Sequence, residues 1–361
     1  MSRARTGGSL PPIWYWYRRG PLLRARRKFI VLLAGAAVAA PLAACSDDPP
    51  KPATASPPSP ASSAPAPTPT PPAAHPFTGK PGGQSKPVLA VKIENTASGK
   101  PQLGLRSADI VYIEQVEGGL TRLMAMFSSK IPAKVGPVRS ARISDLHILR
   151  QFGKPAFAYS GVQTRMKPFV AKAPLFDVSD SAAPGAYFRQ PGRHAPYNLF
   201  ARPKVLLSKA RKATVAKDIG WTFSEQAPEG GKPTTSFKVR YPAARFTFTW
   251  SDSEKRWLVT QDGKKDMAAE GGQLGGQTVV IQWAKTTRSQ FHDVNGSYTP
   301  LIKTTGTGKA TVLRDGMAYQ AKWERLKENE GTTFTTPDGR PLPFAPGQVW
   351  VVLASPKPVQ P

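Results

Sequence analysis

Residues 46–76 constrain everything on either side of them. Twelve of these 31 residues are Pro, and most of the rest are Ala, Ser or Thr. Such a stretch has no apolar face to bury and too few N–H donors for a helix. It reads as a stiff polyproline spacer rising ~3.1 Å per residue, so it reaches on the order of 100 Å when extended. The 361-residue chain is therefore divided into a leader, a tether and a body that begins near Phe77, and any sizeable core must be built in the body.

The leader reads as an export signal. Eight Lys/Arg and no acid fall within residues 1–28, and a short apolar run, Phe29 to Ala40, follows. Leu42-Ala43-Ala44-Cys45 then has the order of a bacterial lipobox, in which diacylglycerol is added to the cysteine thiol and cleavage leaves Cys45 as the new N-terminus. An uncleaved anchor fits less well, because the apolar run ends at Pro41 and falls short of the roughly 18–20 residues of a spanning helix. Residues 1–44 are thus expected to be a lipoprotein signal peptide, and 45–76 the lipidated cysteine with its tether. Arg26-Arg27-Lys28-Phe29-Ile30 resembles the twin-arginine export motif, with the general secretory route as the alternative. The expected location is the extracytoplasmic face of the cell membrane, with the lipid bilayer as a partner through Cys45.

In the body, Val88–Ile93, Ile110–Ile113, Thr121–Phe127 and Ala156–Tyr159 read as strands. Ser140–Phe152 and Pro203–Ile219 read as helices, the second with Gly220 as its stop. Farther on, Phe237–Tyr241, Arg245–Trp250, Trp257–Thr260, Thr278–Trp283, Ala310–Arg314, Met317–Trp323 and Val349–Leu353 read as strands. Asp262-Gly263, Asp315-Gly316 and Asp338-Gly339 supply turn signals. The expected class is α+β: an N-terminal α/β domain with a mixed sheet over 77–225, then a mostly-β domain over 232–355.

Charge is lopsided. The chain carries a formal +27, of which +19 remains once the signal is removed; residues 77–225 hold +14 and residues 226–361 hold +6. A single Cys excludes intrachain disulfides, a Cys-rich zinc site and a CxxC redox centre. No GxSxG, P-loop, HExxH or EF-hand pattern occurs, and neither a metal nor a cofactor is expected. The densest polar patterning runs through Glu114, Glu117 and Arg122, then through Gly136-Pro137 into Arg139, Ser140 and Arg142. Ser140 is a candidate N-cap for the following helix; if the helix instead begins at Val138, Arg139 and Arg142 share a face, and together with the helix N–H groups these would make an anion pocket. The alternative is that these guanidiniums pair Glu114 or Glu117 for structural reasons. Glu114 and Glu117 are three apart, on opposite faces if the strand continues, which argues against a paired-carboxylate acid/base site. Arg189, Arg193 and Asn198 crowd a second polar loop.

Several of these motifs together resemble the YerB-type bacterial lipoproteins, a family defined by a domain of unknown function with N- and C-terminal parts. They are Pro101–Tyr112, Val116–Arg122, Val135–Arg142, Pro196 and Asn198. In the C-terminal part Gly306–Ala310, Asp315-Gly316, Trp323 and Pro346–Val351 match. The family pattern has His where this chain has Tyr197, so a role for that imidazole does not carry over. The resemblance implies a lipid-anchored envelope protein of two domains and no established reaction.

Three function classes follow. The first is a non-enzymatic envelope protein binding an anionic wall component or a membrane protein through Glu114, Glu117, Arg122, Arg139, Ser140, Arg142, Arg189, Arg193 and Asn198. The second is an enzyme acting on envelope material through the same Arg/Glu site. The third, nucleic-acid binding, is set aside: export removes most nucleic acid, and no aromatics interleave with the basic runs.

Overall fold

The computed structural model describes residues 73–82 and 85–356. Arg26, Arg27, Cys45 and most of the tether lie outside the described residues. Among those described, no helix is long and apolar enough to cross a membrane.

One mixed sheet organises the body. Its centre comes from β1 (Leu89–Glu94), β2 (Ile110–Gln115) and β3 (Thr121–Phe127), with β4 (Ala156–Ala158) beyond β1. β3 lies antiparallel between β1 and β2, and β4 runs parallel to β1. Two helices follow in the chain on either side of β4, α1 (Ile143–Leu149) and α2 (Lys167–Lys172), and α3 (Pro203–Lys209) comes later. A meander of β5 (Ser236–Tyr241), β6 (Ala244–Ser251) and β7 (Arg256–Gln261) forms most of a separate sheet. The chain then rejoins the main sheet with β8 (Thr278–Trp283). It leaves again as a hairpin of β9 (Thr286–His292) and β10 (Tyr298–Ile302). It returns as β11 (Gly306–Arg314), β12 (Met317–Arg325) and β13 (Val349–Ala354).

β13, the last strand, inserts parallel to both β8 and β2, and so joins the two halves of the main sheet. The stretches expected as separate domains, 77–225 and 232–355, thus share a sheet. The class is α+β as expected, with the second half mostly strand.

Both faces of the sheet centre are covered, which is why its strands are apolar almost without alternation. Leu89, Val91, Val111, Ile113, Trp350 and Val352 pack against the meander's Phe246, Phe248, Trp257 and Val259, with Leu206 of α3 in the same core. Ala90, Ile110, Tyr112, Met124, Val351 and Leu353 pack on the other face against Leu146, Ile148 and Leu149 of α1.

Two expectations need correction. The helix from Pro203 ends at Lys209 rather than Ile219. Beyond it, Thr214 receives a hydrogen bond from Val88 N–H and donates one to Lys154, so sheet-edge pairing overrides helical periodicity. The helix expected over Ser140–Phe152 begins at Ile143, and a start at Val138 is ruled out because Pro137–Arg139 runs extended beside β1: Glu94 N–H donates to the Pro137 carbonyl and Arg139 N–H to that of Lys92. Ser140 is therefore not an N-cap. Asp145 instead turns back on the helix start, its Oδ2 accepting the Arg142 N–H at 2.6 Å. The turns Asp262-Gly263 and Asp315-Gly316 behave as read, with positive φ at both residues of each pair, as a two-residue hairpin of the I′ type requires.

Candidate functional site

Strand register places the charged residues. Arg122 of β3 lies directly opposite Glu94 of β1 on one side and Glu114 of β2 on the other. Side chains alternate along a strand, so Lys92, Glu94, Glu114 and Arg122 all point to the face covered by α1. The inner part of this group is dry. Lys92 Nζ lies 2.8 Å from Glu114 Oε1 and 2.6 Å from Asp145 Oδ1, and all three side chains are at most 1% exposed. Burial, reinforced by the Asp145 carboxylate and opposed by Lys92, pushes Glu114 up to about 8.

The outer part of the group reaches a cleft. Arg142 Nε lies 2.6 Å from Glu117 Oε1, and Arg142 Nη1 donates to the carbonyls of Ser140 and Ala141. Burial acts to raise Glu117, but Arg142 and the Thr299 hydroxyl outweigh it and hold the carboxyl below its ordinary value. Arg139 Nε pairs with Glu94 Oε2 at 2.6 Å, and its guanidinium lies 5.4 Å from the Tyr197 ring centre. Arg122 is buried and donates to the Ser140 carbonyl at 3.3 Å. Burial and then the neighbouring Arg142 push it down to about 10, with Glu94 opposing. Three guanidiniums thus surround the two carboxylates Glu94 and Glu117.

The cleft itself, about 520 Å³, lies beyond the C-terminal end of β2. Ser140, Arg142 and Glu117 form one wall, Gln163 and Met166 another, and Phe291 and Thr299 of the β9–β10 hairpin a third. The hairpin is fastened to α1 through Ser144, whose hydroxyl donates to Pro300 O and accepts from Ile302 N–H. The ends of parallel strands are where open α/β sheets place ligands.

The sequence-derived residues divide into three groups. Glu117, Ser140 and Arg142 line the cleft, with Arg122 on the Ser140 carbonyl and Arg139 on Glu94 behind them, all from extended backbone and turns rather than from a shared helical face. Glu114 is separated from Glu117, because β2 stops at Gln115 and Glu117 sits in a turn with Gly118 and Gly119 at positive φ. Arg189, Arg193 and Asn198 form a brace away from the cleft lining. Arg189 Nη1 donates to Asn198 Oδ1 at 2.7 Å, while Arg193 donates to the carbonyls of Gly99 and Pro101. Lys92, Glu94 and Asp145 were missed, yet a lysine inside the apolar run of β1 was a visible signal. Thr299 and Phe291 carried none, because only tertiary structure brings the hairpin to the cleft. Among the described residues, no group of three or more His, Cys, Asp or Glu is placed to hold a metal ion.

Comparison with known proteins bears on the whole body. Residues 77–216 match the family described as "Protein of unknown function (DUF3048) N-terminal domain", and residues 237–351 match its C-terminal domain. The chain belongs to the DUF3048 family. It is 26% identical over 284 residues to the Bacillus subtilis (strain 168) protein named "Putative lipoprotein YerB", which covers 73% of this chain and 80% of that relative. The crystal structure of the YerB protein from Bacillus subtilis superposes with a TM-score of 0.67 at 22% identity, covering 78% of this chain and 96% of the other, so the fold is shared. Its likeness to a relative named as a lipoprotein makes this DUF3048 protein an envelope protein of the membrane-anchored, extracytoplasmic type.

Proposed function

We propose that the body is a non-catalytic binding module, held to the membrane through lipid on Cys45. Its cleft beside Arg142 receives an anionic group of a wall component or envelope partner. The observation carrying this reading is the guanidinium of Arg122, which makes no ion pair of its own among the described residues and donates only to the Ser140 carbonyl. It is buried, crowded by Arg139 and Arg142, and shares Glu94 and Glu117 with them. Arg142 lines the cleft and Arg122 lies behind it, so an anion entering beside Arg142 is attracted by both guanidiniums. Apolar side chains in the cleft, Val162, Met166 and Phe291, suit a ligand with a carbon-rich body behind its charge.

The test leaves the structural ion pairs intact. Gln163 lines the cleft, and its carbonyl oxygen accepts no hydrogen bond in the structure. Gln163→Glu keeps the shape and adds a negative charge. Binding of the full chain to phosphate-rich wall polymer, followed by co-sedimentation, should weaken about fivefold or more while the melting temperature stays within a few degrees. Undiminished polymer binding by a folded Gln163→Glu protein sinks the reading.

A further inference from the structure

A second pocket lies at the opposite end of the same parallel strands. Ala108 and Asp109, just before β2, and Gly347 and Gln348, just before β13, form its floor, and its volume is about 310 Å³. Its walls carry four cations, Lys80, Arg106, Lys130 and Arg256. β2 is six residues long, so at ~3.3 Å per residue the two pockets lie about 20 Å apart.

The charges here are arranged differently from those at the cleft. Asp109 is the one carboxylate lining the pocket, and its oxygens are already engaged by the N–H groups of Ser128 and Ser129 and by the Ser129 hydroxyl. Arg106 is held by the Gly271 carbonyl at 2.8 Å. Arg256 is held by the Gln273 carbonyl at 2.8 Å and by the exposed Glu254. Carbonyl bonds fix a guanidinium in place without cancelling its charge. The ammonium groups of Lys80 and Lys130 are exposed and make no hydrogen bond or ion pair among the described residues. The pocket therefore offers the Arg106 guanidinium, two free ammonium groups and the Ser107 hydroxyl to one small volume, with Arg256 beside them paired to Glu254.

We propose that this pocket binds a phosphate group. A compact tetrahedral oxyanion accepts hydrogen bonds in several directions at once, which matches donors converging from four separate segments. The pocket holds a phosphate with a short ester arm rather than a polymer. Lys80 also lies four residues beyond Pro76, where the tether ends, so the pocket opens beside the segment leading back to the lipidated Cys45. The phosphate is that of a phospholipid headgroup or a free phosphate, and the two sources are separable by experiment.

The experiment uses the full lipidated chain, purified in zwitterionic detergent. Inorganic phosphate is titrated and followed by phosphorus NMR line broadening. In a second arm, the protein is placed in phosphatidylcholine bilayers with or without phosphatidylglycerol, and amide exchange is read at residues 104–109 and 128–130. Lys80→Gln combined with Lys130→Gln removes the two unpartnered charges and should weaken phosphate binding about tenfold or abolish the lipid-dependent protection. Both arms are run with Gln163→Glu already in place, which discourages anions at the cleft, so that broadening or protection lost with the two lysines reports this pocket alone and the two sites fail independently. Broadening by free phosphate without added protection by phosphatidylglycerol identifies the free anion as ligand, and the reverse pattern identifies the headgroup. Equal phosphate affinity and equal protection in the double lysine variant, or no response in either arm, overturns the proposal.

Discussion

The two ends of β2 carry similar positive charge and use it in opposite ways. At its C-terminal end, Arg139 and Arg142 are spent on Glu94 and Glu117, Lys92 is locked between Glu114 and Asp145, and Arg122 alone is left over. At its N-terminal end, Lys80 and Lys130 reach solvent unpaired among the described residues, beside Arg106 held by a carbonyl, and only Arg256 is paired with a carboxylate, Glu254. A basic residue beside a strand end is therefore weak evidence for a binding role. What decides is whether a carboxylate of the same chain has already neutralised it.

Lys92 is the most damaging place to break this contrast. Lys92→Ala strands Glu114 and Asp145 in a dry core, and losing one partner of a buried charge group costs about 3–5 kcal/mol. A melting temperature lowered by on the order of 10 °C is expected in a thermal scan. A drop of only a degree or two would mean that the inner cluster is not the internal brace described above.

An intermediate effect is expected from pH. The folded state holds Glu114 at about 8, above the unfolded carboxylate value near 4.5. Between those values the folded protein binds the extra proton, so this group makes stability fall as pH rises from about 4.5 to about 8, and level off above. Glu114→Gln removes the ionisation and should flatten that part of a urea-denaturation series measured against pH. An unchanged slope would assign the pH dependence to other groups.

The smallest effect belongs to the other end of the strand. Lys130→Gln deletes an exposed charge with no partner among the described residues, and its unfolding free energy should stay within about 0.5 kcal/mol of the parent. A larger loss would show that Lys130, too, is structural, and the contrast between the ends would narrow.

The sequence made the strands legible where burial on both faces left continuous apolar runs, as in Leu89–Glu94 and Val349–Ala354. It made the I′ turns legible because Asp-Gly is a local signal. It did not reveal where α1 starts or where α3 stops. Both boundaries are set by pairing with β1 or its flanks, a partner far away in the chain. At the cleft, the arginines and Glu117 were legible as a group, because they lie in two short polar runs. Their neutralisation was not, because Glu94 meets Arg139 only through the register of β1 beside Pro137–Arg139. The hairpin residues Phe291 and Thr299 come from more than a hundred residues downstream, with no local pattern marking them.

The position of β13 has a consequence for how the molecule comes into being. The strand at the middle of the sheet comes after all its fellow strands in the chain, more than two hundred residues beyond its neighbour β2. Closing so long a loop makes the central pairing a late and slow event. A copy truncated by even the final dozen residues would lose the piece that joins its halves. Completion of the sheet thus waits on β13: until that strand is in place, β2 and β8 lack the neighbour that joins them.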